Sequence, residues 1–592
     1  MYRDNSLGGE SLSPTDLIRN FMVKRMRGYL IAVIGFAVAE VFQVQIPNIL
    51  GRFINRLKAS GATEHTILRF AFELSIMAAG YVLAFGFAQT RIGQLSRSVE
   101  SEMRQSLFAH WETLSSTYFQ QHSVGDLLNH TLNDVSAIRQ AMSMGLNQIS
   151  QATFLFAATL YMTIRTIDVD LTLTALLPLV LIPVVVVILR REVRLRSRRV
   201  QEALSDMSEL AEESFQAIRL IKAASNEPVD LDRFKQRTQM IVDRQMSLVR
   251  INTLFQALLP MLSGIAFTIG LVYGGWLVIH GHISLGSFVA FTVYLSMLVQ
   301  PLMQFGSVIN TFQNASASVL RVHVLMSVEP DIQDPEHPVE KAWLGDLTVR
   351  DLSFSYPGAK RPALAEVSFS VPHGTMLGIV GRTGAGKTTL LNLILRDYDP
   401  PKGTMFCDGV DIRDMRVREL RNLVAYVPQD GFLFSTTIGQ NIAFSQTEVV
   451  PSEVETAASQ SRIWETIRTM PSGIDTEIGE RGIMLSGGQR QRTAIARALI
   501  KSEAKILILD DSLSAVDTGT ETEILGVLKK VRGKKTTIIA AHRLSALRDA
   551  DWIIVLDDGR IVESGDHQDL IQRGGIYAEL YRIQTGGESV HD

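Results

Sequence analysis

The stretch Gly381-Arg382-Thr383-Gly384-Ala385-Gly386-Lys387-Thr388-Thr389 decides how this chain is read. It follows a strand-like run, Met376–Val380, and opens a helix-like run, Thr389–Leu395, so the glycine loop has the strand and helix context that a P-loop requires. The glycines let backbone amides curl round phosphate oxygens, and Lys387 has the reach for the β and γ phosphates. Thr388 offers a hydroxyl to Mg2+, and the helix N-terminus adds positive potential. ATP with Mg2+ is the ligand pair this stretch implies.

Downstream, the run Ala504–Leu509 reads as a second strand, ending at Asp510, the acid expected to hold Mg2+, with Asp511 directly after it. From residue 346 onward, short β-rich runs alternate with helices and turn residues, which is the pattern of an α/β domain spanning 346–592. A segment with Pro330, Pro335 and Pro338 precedes it and reads as a linker over 326–345.

Upstream of that linker the solvent changes. The 592-residue chain is 46% hydrophobic and 20% charged, and its long apolar runs are concentrated in the first half. A hydrocarbon core about 30 Å thick needs roughly 20 apolar helical residues. Six stretches qualify: Tyr29–Leu50, Ile67–Thr90, Met142–Ile164, Leu171–Leu189, Leu254–Ile279 and Leu285–Phe312. They give a six-helix transmembrane domain over 1–325. Arg19, Lys24, Arg25 and Arg27 before the first span place the N-terminus in the cytoplasm, and an even span count returns the α/β domain there. A bacterial plasma membrane fits, and the first apolar run is too long for a cleaved signal.

The links between spans two and three and between spans four and five are about 50 and about 60 residues long, so they need structure of their own; they read as cytoplasmic helical hairpins. Arg190, Arg191, Arg194, Arg196, Arg198 and Arg199 in the second report orientation. In the last span Gln300, Gln304, Ser307, Thr311 and Asn314 recur on one helical face. Together with Glu40, Gln43, Gln45, Asn147, Gln148 and Gln151, that face either lines a translocation path or holds the bundle together by interhelical hydrogen bonds. The net charge of -3 and the lack of a basic patch interleaved with aromatics argue against nucleic acid as a partner. The single cysteine, Cys407, reads as inert.

Between the P-loop and the acidic strand stands Leu485-Ser486-Gly487-Gly488-Gln489-Arg490-Gln491-Arg492, and here the chain resembles the ABC transporter family, whose signature this is. The resemblance covers nearly the whole chain. It implies Tyr356 as the aromatic that stacks on adenine, Gln429 as the loop glutamine that senses Mg2+ and the membrane domain, and His542 as the switch histidine near the γ phosphate. Thr476–Gly482 resembles the exporter loop before the signature, and Ser514 to Asp517 resembles the loop that crosses between paired cassettes. Gly125-Asp126 with Asn133-Asp134-Val135, and Ser225 to Pro228, resemble the segments at the tips of the exporter hairpins.

In this family cassettes pair head to tail, so Leu485, Ser486, Gly487, Gly488 and Gln489 would act on ATP held by a second half-transporter. Asp511 occupies the family's catalytic position, where glutamate is usual, one methylene longer. Aspartate there beside an intact signature resembles the slow-site subunit of heterodimeric bacterial multidrug exporters. That implies a heterologous partner half, membrane lipid and an amphiphilic drug or lipid as cargo. A homodimeric lipid or drug exporter and an ATP-gated membrane protein that does not pump stand as alternatives. Importer and peptidase-exporter layouts do not match this organisation.

Overall fold

Why the apolar runs become helices is visible at their ends. The structure is a computed structural model that describes residues 14–60, 63–479, 482, 484–531 and 533–584. After α1 (Pro14–Val23) comes α2 (Met26–Ser60), and then α3 (Glu64–Trp111) starts at an extended Thr63 whose side chain accepts from Thr66 N, an N-cap. A short α4 (Ser116–Gln121) precedes α5 (Val124–Asn129), α6 (Val135–Gln140) and α7 (Leu146–Thr166), which are joined by π-helical turns at His130–Asp134 and Ala141–Gly145. Then follow α8 (Val169–Leu176), α9 (Leu181–Gln216), α10 (Ile218–Ala223), α11 (Glu227–Ile279) and α12 (Leu285–Met326).

Among the described residues, four helices, α2, α3, α11 and α12, contain segments long and apolar enough to cross a membrane. The third expected span forms α7, whose first turns carry Asn147, Gln148, Ser150 and Gln151. The fourth, expected as one helix over Leu171–Leu189, is broken into α8 and α9. Pro178 has no N–H to continue the ladder, and the backbone tightens there into short-range bonds such as Leu181 N to Pro178 O at 3.2 Å. Both long links are helical, as expected: Arg196 on α9 donates to the Ser247 carbonyl on α11 at 2.9 Å, and Pro228 sits in the first turn of α11.

Within this unit α2 packs on α3, α7 and α12. At Gly51 and Gly286 the backbones of α2 and α12 come so close that a side chain on either would strike the other's carbonyl, and Asn55 ties the crossing through Gly286 N and Ser284 Oγ, both at 2.8 Å. Asp134, in the first long link, is buried; it accepts from Arg321 Nε on α12 at 3.0 Å and from Ser318 Oγ at 2.8 Å, and it lies 2.7 Å from His130 Nδ1.

Burial works against ionisation of Asp134, but the hydrogen bonds from Arg321, His130 and Ser318 prevail and hold its carboxyl at about 2, below the usual carboxylate value. A depressed acid stabilises the fold above its unfolded value, near 4, and that stability is lost as pH falls toward about 2. Arg321→Ala leaves the buried carboxylate without its countercharge. Because the guanidinium is half exposed, the expected loss is about 2 kcal/mol, below the full cost of breaking a buried pair, read as a lower melting temperature in detergent at neutral pH.

The second unit gathers Glu329–Asp592 with the short segment Leu114–Gln121. Its strands are β1 (Leu347–Phe354), β2 (Leu364–Val371), β3 (Met376–Gly381), β4 (Met405–Cys407), β5 (Val410–Asp411), β6 (Val424–Val427), β7 (Ile506–Asp510), β8 (Thr536–Ala540), β9 (Trp552–Asp557) and β10 (Arg560–Gly565). They form an antiparallel sheet, β2-β1-β4-β5, and a larger sheet, β10-β9-β3-β8-β7-β6, parallel from β9 to β6. Helices α13 (Lys387–Ile394), α14 (Val417–Leu423), α15 (Ile438–Ile442), α16 (Pro451–Gln460), α17 (Trp464–Arg468), α18 (Gly487–Leu499), α19 (Thr518–Val531), α20 (His567–Arg573) and α21 (Ile576–Gln584) complete it. Every residue of β3, β7 and β8 is buried, which is why these strands read as unbroken apolar runs rather than alternating ones. Cys407 lies in the core between the sheets, its thiol pushed up to about 12 chiefly by burial.

Candidate active site

In an open parallel sheet, ligands bind beyond the carboxyl ends of the strands. Here the order β3-β8-β7-β6 lines up four such ends, roughly 4.8 Å apart from strand to strand. β3 runs into the P-loop, β8 into His542, β7 ends at Asp510 with Asp511 next, and β6 leads to Gln429. The sheet therefore brings to one edge residues that the sequence spreads over more than 160 positions.

The P-loop has the curl a phosphate cradle needs. Gly384 and Gly386 have φ of 85° and 100°, and a Cβ at Gly386 would come within 2.8 Å of the Ala363 carbonyl oxygen, so only glycine fits. Lys387, buried, donates to the carbonyls of Gly381 at 2.7 Å and Arg382 at 3.2 Å. Burial lowers its ammonium below the usual lysine range, while the charges of Asp511 and Asp510 work the other way. Asp510 is raised, first by burial and further by the charge of Asp511; a hydrogen bond with the Thr388 hydroxyl and the charges of Lys387 and His542 pull against it. Two adjacent acids beside a threonine hydroxyl form an oxygen donor set that suits Mg2+. Tyr356 packs edge-on against Tyr398 at 5.1 Å, and its hydroxyl donates to Thr389 Oγ1 at 3.0 Å, which fixes the ring beside the helix that starts at the P-loop.

Asp511 adopts a left-handed backbone (φ 42°), which aspartate tolerates better than most residues. Its N–H donates to the Ala540 carbonyl at 2.8 Å, and its carboxylate accepts from His542 N at 3.2 Å. Gln429 is exposed, two residues past β6. The signature serine Ser486 is the N-cap of α18 in a capping box: Gln489 N donates to Ser486 Oγ at 3.3 Å and Ser486 N donates to Gln489 Oε1 at 2.8 Å. Gly488 packs so closely on the Ala515 carbonyl that a Cβ would approach it to 2.9 Å. The start of α18 and the loop at 514–517 are thus one assembly. Within it, Ser514 Oγ donates to Asp511 O at 2.9 Å and Asp517 accepts from Thr520 N at 2.9 Å. Of the exporter loop Thr476–Gly482, residues 480 and 481 lie outside the described residues.

Sequence reading placed Gln491 in the signature without a role of its own and missed Gln584. Buried Gln491 reaches back from α18, accepting from Ala515 N at 2.9 Å and approaching Ser514 Oγ at 3.4 Å. Gln584, at the end of α21, brackets His542: its amide donates to His542 O at 2.7 Å and accepts from Leu544 N at 2.9 Å. An exposed glutamine near a chain end carries no signal in sequence. Gln584→Leu is expected to speed hydrogen exchange of the Leu544 amide roughly tenfold, the equivalent of about 1.4 kcal/mol of lost hydrogen bonding, as read by exchange mass spectrometry.

In the membrane unit, Gln300 and Asn314 of the polar face on α12 are exposed, Gln304 and Thr311 are half-buried, and the side chain of Ser307 lies outside the described residues.

Comparison with known proteins adds the family. Residues 29–302 match the ABC transporter transmembrane region, and residues 364–514 match the family described as ABC transporter. The probable multidrug resistance ABC transporter ATP-binding/permease protein YheI of Bacillus subtilis is 35% identical over 94% of this chain and 95% of its own length. An ATP-dependent lipid A-core flippase of Pseudomonas fluorescens is 34% identical over 94% of this chain and 93% of its own. Among solved structures, a bacterial Atm1-family ABC exporter with ATP bound matches with a TM-score of 0.77 at 26% identity, over 95% of this chain and 99% of that one. With a membrane region and an ATPase cassette fused in that order, the chain belongs to the ABC transporter family, as an exporter half.

Proposed function

We propose that this half exports amphiphilic compounds, drugs or lipids, across a bacterial plasma membrane by alternating access, paired with a heterologous half, and that its own P-loop is the slow hydrolytic site. The functional domains are then 1–325 in the membrane, 326–345 as linker and 346–592 as cassette. The observation that carries the slow-site reading is Asp511. Its short carboxylate is engaged by His542 N at 3.2 Å, where the family places a glutamate that reaches one methylene further toward the attacking water. A misplacement of about 1 Å can cost on the order of a hundredfold in rate.

In this reading ATP lies along the P-loop against Tyr356, and Lys387 with the amides of Gly384 to Thr389 holds its phosphates. Mg2+, held by Thr388 and Asp510 with Gln429 alongside, neutralises phosphate charge when bound. His542 contacts the γ phosphate. The signature of this chain, Leu485 to Gln489, closes over ATP on the partner, with Ser514 and Asp517 at the crossing between cassettes. Gln300, Gln304, Ser307 and Thr311 line part of the path. The names of the relatives above, one for multidrug resistance and one for lipid A-core flipping, support an amphiphilic cargo.

Purification from the native source through a tag on this chain tests the pairing. A second, similar half is expected in equal amount. A homodimer with full ATPase activity would overturn it, and ATP-dependent accumulation of a fluorescent amphiphile in inverted vesicles separates a pump from an ATP-gated protein.

A further inference from the structure

Glu40 is fully buried in the middle of α2, within the first expected span. Neither carboxyl oxygen closes a hydrogen bond, and no Lys, Arg or His among the described residues pairs with it. From α7 the Gln151 amide reaches toward it, and from α3 the Tyr81 hydroxyl shares that amide. From α12, Tyr294 lies one turn on, its hydroxyl committed to the Val44 carbonyl at 2.9 Å. On α2 itself Gln43 shares the helical face, and its buried Oε1 has no donor. Further up α7, Thr159 Oγ1 is likewise buried without a partner. The groups around this carboxyl are thus neutral amides and hydroxyls.

An ionised carboxylate enclosed without a countercharge costs several kcal/mol, and ionisable side chains inside a membrane bundle mark ion and proton sites. The neutral acid removes that cost and has one O–H to donate, and the buried Gln43 Oε1 on the same helical face lacks a donor. We propose that the Glu40 carboxyl is a proton-binding site of the membrane domain, occupied while α2 is closed on α3 and α7 and emptied when these helices part. Water entering the parted bundle takes the proton as hydronium and leaves Glu40 a solvated carboxylate; reclosure takes one proton back. This rests on the reading above that the bundle opens and closes during transport.

The test uses the full chain assembled with its partner in lipid nanodiscs. Infrared difference spectra at neutral pH without nucleotide should contain a protonated-carboxyl C=O band that shifts in D2O, is absent from Glu40→Gln, and weakens when ATP and vanadate trap the other state. A spectrum unchanged by Glu40→Gln overturns the proposal. Should that variant fail to fold, proton release on ATP binding, followed with an indicator dye on the unaltered protein, decides it: no release overturns it. In inverted vesicles, ATP-driven uptake by the unaltered protein should fall as pH rises from mildly acidic to mildly alkaline, whereas Glu40→Gln should show a flat profile; identical profiles overturn it. Absence of uptake at every pH would sink the transport reading instead, and the infrared band would still decide whether Glu40 holds a proton.

Discussion

Ser486→Ala is expected to slow ATP turnover of the assembled transporter about a hundredfold, the usual effect of removing one donor aimed at developing charge, while Lys387→Met in the same chain slows it only a few-fold. The asymmetry follows from where each residue acts. Ser486 caps α18, its Oγ accepting from Gln489 N, and in the proposed pairing its hydroxyl acts on phosphate held by the partner. Lys387 serves the P-loop of its own chain, the slow site in the proposed pairing. Losing the cap costs α18 about 1 kcal/mol, which the buried face of that helix can absorb, so the variant should fold. Ser486→Thr keeps both hydroxyl and cap and should retain most of the activity. Steady-state phosphate release on the co-purified pair measures all three; equal losses for Ser486→Ala and Lys387→Met would mean two equivalent sites.

Asp511→Glu is the second large effect, an increase. Hydrolysis at this chain's own P-loop is expected to rise by up to about a hundredfold, equivalent to about 2.7 kcal/mol in the barrier. The backbone is fixed by the bond from Asp511 N to Ala540 O, and the carboxylate is engaged by His542 N, so the added methylene carries the acid outward from the strand end. Single-turnover assays on a pair whose partner's own site has been silenced isolate the change. An unaltered or lower rate would mean that side-chain length at this position does not limit hydrolysis.

The cassette was legible in the sequence because its chemistry is local. A P-loop, an acid pair and a signature each occupy contiguous residues, and fully buried strands such as Ile506–Asp510 appear as continuous apolar runs. The membrane half was legible in outline. Composition marks apolar length, but the break at Leu177–Val180 needed weight on Pro178, which lies inside the expected fourth span. What the sequence could not convey were contacts between distant positions. Arg321 meets Asp134 across 187 residues, Gln584 holds His542 across 42, and Gln151 turns toward Glu40 only once α7 lies on α2. Each is an ordinary polar residue whose place is set by packing rather than by spacing. The polar face of α12 shows the same limit: periodicity groups Gln300, Gln304 and Thr311 but does not say what they face.

Nucleotide retention on the assembled pair addresses the slow-site claim most directly. The co-purified transporter is mixed with radiolabelled ATP, excess nucleotide is removed by rapid filtration, and the bound species are followed in time. One nucleotide per pair should persist as ATP long after the other has been hydrolysed, and Asp511→Glu should abolish that persistence. Hydrolysis of both nucleotides in a single phase at one rate would contradict the account.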